Sequence, residues 1–337
     1  MRRCIPFSLS IGLSLLILIG AAQAAIITVD KNAGNNADFT SLQTAHDAAA
    51  SGDTLYVAGS SQGYSLLTLS KKLFVFGPGY FLTENPDTQA RPLTAIVDGF
   101  TFNAGSQGTL ITGFLINDRV SIQTSAITIK RNQFDLTSNT QFITIGSNNT
   151  NVLILQNYMS DGQTSYSGIQ VTANNQNIVI ASNYIARATA PNIVSAPATA
   201  TLIMKNNVLF GAINIDNSTF QDNIIGDGTF AGDNNAVNNN IANGTQLDGL
   251  GSNNQASVDM NNVFDGTGST DAQWKLKDGS PALGAGAAGG DLGMYGGGDP
   301  YALSGLPSIP AIYFFDAPIQ GSTTSGLPVQ MKVKSHN

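Results

Sequence analysis

Apolar positions recur in one short phrase through the middle of the chain: apolar-x-apolar-x-x-Asn-x-apolar. It reads Ile127, Ile129, Asn132, Phe134, then Val152, Ile154, Asn157, Met159, then Ile178, Ile180, Asn183, Ile185. It continues as Leu202, Met204, Asn207, Leu209, and more weakly as Phe220, Asn223, Ile225. Asn240 with Ala242 and Asn262 with Phe264 extend the series, and Gly77 and Gly113 stand at the Asn position of two earlier copies. Alternation of apolar and polar residues is the signature of a strand with one buried face. A second short strand precedes most copies, as in Phe142-Ile143-Thr144-Ile145, Gly168-Ile169-Gln170-Val171 and Ala212-Ile213-Asn214-Ile215. Each repeat thus predicts a leading strand, a middle strand and a trailing stub after the Asn.

One such unit cannot bury its apolar side alone, but units stacked at ~4.8 Å per rung bury a continuous column. The expected fold is all-β: a single right-handed parallel β-helix of roughly nine rungs, with an N-terminal helical cap and a C-terminal β tail. The ladder Asn residues, Asn132, Asn157, Asn183, Asn207 and Asn223, have two expected jobs. Asn tolerates the left-handed backbone of a sharp bend, as Gly does, and stacked amides hydrogen-bond along the coil.

Phe39, Leu42, Ala45 and Ala49 lie at helical spacing, with Asp38 or Ser41 as the cap, before a strand at Thr54-Leu55-Tyr56-Val57. That helix covers the open end of the coil. After Pro300, residues 311–315 and 327–333 read as two strands flanking a Gly321 to Gly326 turn. The domain plan is a leader over 1–24, the coil and its cap over 25–298, and the β tail over 299–337. Four residues before each Asn position lies an outward column: Leu73, Thr109, Thr128, Leu153, Val179, Ile203, Thr219, Ala236, Val258. It carries no charge, so the tail or a partner is expected to shield it.

Composition supports turns and strands over helices: 33 Asn and 36 Gly, but one Glu, Glu84. The first residues look like a secretion signal, with Arg2 and Arg3, an apolar run from Ile11 to Ile19, and Ala22-Gln23-Ala24 for cleavage after Ala24. The expected location is outside the cell or at its surface, with no transmembrane segment once the leader is removed. The single cysteine, Cys4, leaves with the leader, so disulfides and thiol-bound metals are not expected. Formal charge is −7, and −9 without Arg2 and Arg3, with no basic run. Nucleic acid is therefore not an expected partner. The oligomeric state is not readable.

The stretch F-T-S-L-Q-T-A-H-D-A-A-A-S-G-D-T-L-Y-V and the later W-K-L-K-D-G-S-P-A-L-G-A-G followed by G-G-D-L-G-M-Y-G resemble secreted pectin-lyase-like β-helix proteins. The second motif is similar to the end motif of the choice-of-anchor Q domain proteins. The resemblance implies the fold over residues 25 to 298. It does not imply one activity, because that superfamily mixes lyases, hydrolases and adhesins. Its Asn-Thr-Asp, Gly-His-Gly and Arg-Ile-Lys catalytic runs are absent here, and the only histidines are His46 and His336.

Three function classes follow. The first is a non-catalytic extracellular or cell-surface protein that binds polysaccharide along its flank. The alternatives are a carbohydrate-active enzyme on uronic-acid polymers, and a structural spacer or adhesin. The outward residues of the leading strands, including Thr144, Gln170 and Asn214, make a polar face without an acid or base. Tyr158 and Tyr184 each follow a ladder Asn on consecutive rungs, with Asp161 and Arg187 four residues past the same Asn. They read as an outward aromatic platform beside a charged pair, suited to a sugar ring, or as a Tyr pair and a surface ion pair. Asp227, Asp233, Asp265 and Asp291 lie in Gly- and Asn-rich loops that offer oxygen ligands to Ca²⁺ or simply turn the chain, and no cofactor is expected. His46, Lys130 and Arg131 read as solvent-facing, and Trp274 as packed in the end motif.

Overall fold

In the computed structural model, residues 24–162, 165–187, 191–324 and 326–335 are described, and the expected leader over 1–23 lies outside them. The alternating pattern does what its period requires. Leu55, Val75, Ile111, Ile129, Ile154, Ile180, Met204, Phe220 and Val237 stand in register on successive strands and are at most 1% exposed. Each such burial is worth about 1.5–3 kcal/mol of gross hydrophobic stabilisation. The middle strands form a ten-stranded sheet, and the leading and trailing strands form two eight-stranded sheets; all three are parallel. The chain is a parallel β-helix.

The helix α1 is Leu42–Ala48, with Leu42 and Ala45 buried against the first strands. Ser41 stands at the N-cap, as expected, and Asp38 does not. Ser41 makes no side-chain capping bond, and Asp38 accepts from the Thr28 N–H and hydroxyl instead. His46 is not solvent-facing: it is 3% exposed, its Nε2 accepts from the Ser70 N–H at 3.1 Å and its Nδ1 lies 2.8 Å from Asp47. The imidazole ties the cap to the coil.

The Asn ladder is continuous and corrects one expectation. Each ladder Oδ1 accepts the backbone N–H of the ladder residue one rung before, from Phe114 on Asn132 through to Asn240 on Asn254. The Asn residues themselves do not take the left-handed bend. The residue before each does: Arg131, Gln156, Ser182, Asn206, Asp222 and Asn239, with φ between 51° and 59°. Gly113, at φ 83°, pairs in register with Arg131, and Gly77 with Gly113. Gly113 therefore takes the bend, and Gly77 stands in the same register position without a left-handed φ. Asn254, not Asn262, ends the ladder; Asn262 closes a short 3-10 helix.

The outward column of the middle sheet is shifted to match. On its early rungs it is Phe74 and Leu110, while Leu73 and Thr109 are buried. From Thr128 through Leu153, Val179 and Ile203 to Thr219 and Ala236 it stands as expected. Residues Ala311–Asp316 and Gln330–Lys334 form the expected antiparallel hairpin. It does not bury the column. Phe315, Met331 and Val333 on the hairpin are themselves 50% exposed or more, and Phe74, Leu153, Val179 and Ile203 remain partly exposed.

Candidate functional site

Tyr158 and Tyr184 pair in register on the outer face of the trailing sheet and stack with centroids 4.5 Å apart at 14°. The stack is not open to a sugar. Each tyrosine is 6% exposed, because the chain after the coil folds back over this sheet. Trp274 lies 4.6 Å from Tyr184, and Phe81 meets Tyr158 edge-on at 5.3 Å. Val263, Phe264, Ala282, Leu292 and Met294 complete the roof. The Trp-to-Tyr end motif is this roof, and the expected platform is a second core.

A buried carboxylate holds the roof to the coil. Asp271, fully buried, accepts from the Ser304 N–H at 2.7 Å, Ser269 Oγ at 2.7 Å, Asn85 Nδ2 at 3.1 Å and the Tyr301 hydroxyl at 3.2 Å. Tyr80 and Tyr301 share a 2.7 Å hydroxyl bond beside it. The sequence gives no sign of this knot, since its members are spread from residue 80 to residue 304.

Asp161 and Arg187 also meet, but not at the surface. Both side chains have zero exposure, and Arg187 forks onto Asp161 with Nε–Oδ1 at 2.9 Å and Nη2–Oδ2 at 2.6 Å. Nη1 donates to the carbonyls of Thr140, Tyr166 and Ser167, and the guanidinium lies 4.2 Å from the Phe142 ring centre. At zero exposure the pair is not the surface charge that a sugar beside the tyrosines would meet.

Arg131 is buried too, donating to Gln156 Oε1, the Leu306 carbonyl and Ser308 Oγ. Burial pulls its guanidinium below the usual range, while Asp299 opposes that shift. Lys130 pairs with Asp299 at 2.9 Å, so neither corner cation faces only solvent. Of the loop aspartates, Asp227 accepts the Gly228 N–H of its own turn and Asp291 accepts the Gly284 N–H. Among the described residues no group of three or more His, Cys, Asp or Glu is placed to hold a metal.

The roof makes stability depend on alkaline pH. Burial raises the phenol pKa of Tyr80, Tyr158, Tyr184, Tyr295 and Tyr301 above 10.0. A raised folded value means the unfolded chain loses these protons first. The stabilisation is complete below about pH 10 and falls as pH rises past it. We expect tyrosinate absorbance of these rings to appear together with loss of circular dichroism, in one transition. Ordinary titration of all nine tyrosines near pH 10 in a folded chain would contradict the burial.

The leading sheet carries the accessible regular face. Thr68, Thr101, Ser121, Thr144, Gln170, Ser195 and Asn214 stand in register on seven consecutive strands. All are partly or fully exposed, and none is charged. Thr144, Gln170 and Asn214 thus share one column, as their spacing implied. No family model, curated protein or solved structure matches the chain.

Proposed function

We propose that the protein is a secreted, non-catalytic β-helix protein that binds neutral polysaccharide along the outer face of its leading sheet. The observation that carries this reading is the column from Thr68 to Asn214. It presents hydroxyl and amide groups at one per rung, each both donor and acceptor, over seven rungs without a charge. A neutral polymer rich in hydroxyls offers the matching set of donors and acceptors. Many weak contacts along a rigid track add up without needing a deep pocket. The same reading places the chain with the pectin-lyase-like and choice-of-anchor Q coils, on its cap and end motifs.

The test is co-sedimentation of residues 25–337 with insoluble neutral polysaccharides, beside a glycan array. Placing carboxylates in the column, as Thr144→Asp with Gln170→Glu, should weaken binding about tenfold or more while the melting temperature stays near wild type. A wild-type protein retained by no neutral glycan ends the proposal. So does a double variant that binds as well as its parent.

A further inference from the structure

Where the first rungs of the coil meet the C-terminal hairpin, the surface opens into a cavity of about 640 Å³. Its inner wall is built by Val29, Tyr56 and Val57 from the first two middle strands. Its outer wall is built by Pro307, Ile312 and Phe315 from the chain entering the hairpin. A bond from the Ala90 N–H to the Ile312 carbonyl, at 2.8 Å, fixes the hairpin against the coil here. The volume is that of a small-molecule pocket, and walls mainly apolar with a few polar groups at the mouth are the usual form of one.

The polar groups at the mouth select the ligand. Arg91 lines the cavity and is exposed. Its Nη2 donates to Asn32 Oδ1 at 3.1 Å, which orients the guanidinium, and it has no ion-pair partner among the described residues. Asp30, also at the mouth, is already engaged by the N–H and the amide of Asn32. The same Asn32 side chain therefore donates to the acid and accepts from the base, leaving guanidinium donors free for an incoming acceptor. A guanidinium binds a carboxylate through two parallel hydrogen bonds.

We propose that this cavity binds a small amphipathic carboxylate, its apolar body between the coil and the hairpin and its carboxylate on Arg91. The site is separate from the polar column of the leading sheet, so the two proposals stand or fall apart.

The test is calorimetric titration of the full mature chain with decanoate, using decan-1-ol and decylamine as head-group controls. Decanoate should bind at one site and more tightly than either control. Arg91→Gln, at an exposed side chain, should weaken decanoate about tenfold and leave decanol unchanged. Ala58→Phe, at a cavity-lining residue, should reduce binding of both. Melting curves of the two variants verify that they fold. No binding of decanoate, equal binding of decanoate and decanol, or full affinity in Arg91→Gln would each overturn the assignment. If only Ala58→Phe fails to fold, Phe315→Ala takes its place, because that ring lines the outer wall and is 56% exposed.

Discussion

Replacing Arg187 with Ala should destabilise the protein by about 3–5 kcal/mol, the usual cost of removing one partner of a buried ion pair. For a chain of this size that is a fall of roughly 4–8 °C in melting temperature. The substitution leaves the Asp161 carboxylate without its forked partner at zero exposure. It also takes the donor from the carbonyls of Thr140, Tyr166 and Ser167, and it empties the space against Phe142. Arg187→Lys keeps the charge but not the fork, and should recover only part of the loss. Removing both charges, as Asp161→Ala with Arg187→Ala, should cost less than the two single losses added together, because no unpaired ion is left inside. Thermal denaturation of Arg187→Ala, Arg187→Lys, Asp161→Ala and the double variant beside wild type reads this directly. A surface pair would be worth 0–1 kcal/mol and would vanish in salt. An Arg187→Ala chain that melts like wild type would return the pair to the surface.

The coil was legible because its cause is local and repeated. Every rung needs aliphatic residues at alternate positions, so Ile127 and Ile129, Val152 and Ile154, and Ile178 and Ile180 announce the same inward face. The amide ladder was legible because one residue type is needed at one place. The bend was not, because residues as different as Arg131, Gln156, Ser182 and Asp222 occupy it. Nothing in their chemistry marks the position, so Gly77 and Gly113 read as standing at the Asn position rather than one residue before it. That one-residue slip alone misplaced Leu73 and Thr109, since alternation sends neighbouring side chains to opposite faces.

The fate of the candidate site was illegible for a different reason. Local period correctly put Tyr158 and Tyr184 in one outward stack, and it cannot say what lies on top. Trp274, some ninety residues later in the chain, closes the stack. Arg131 read as solvated because its neighbours in sequence are polar, yet its partners Leu306 and Ser308 arrive from the far end of the chain. A second stacked Asn pair, Asn149 and Asn175, lies at the turn into the middle sheet, without the repeat that marks the first ladder. Asn175 Oδ1 accepts the Asn149 N–H there at 2.9 Å.

Asn183→Ala should cost about 3 kcal/mol or more, from two or three buried groups each losing a partner worth ~1–3 kcal/mol. The Asn183 Oδ1 accepts both the N–H and the amide of Asn157, at 2.8 and 3.0 Å. Its Nδ2 donates to the Ile154 carbonyl at 2.9 Å and to Asn207 Oδ1 at 3.0 Å. Ala supplies neither function, so groups on two adjacent rungs are left dry and unsatisfied. Because the left-handed residue is Ser182 and not Asn183, Gly has nothing to relieve at 183. Asn183→Gly should therefore destabilise at least as much as Asn183→Ala, with added freedom in the unfolded chain. Asn183→Asp keeps the acceptor but loses both donors and sets a carboxylate against Asn207 Oδ1 and the Ile154 carbonyl, so it should not rescue. Ser182→Gly, one residue earlier, relaxes a left-handed backbone and loses one hydroxyl bond to the Asp299 carbonyl. Its effect should be small beside that at 183. Denaturant melts of the four variants decide between amide and bend. If Gly at 183 is much milder than Ala, the Asn is there to turn the chain, and the ladder bonds contribute little.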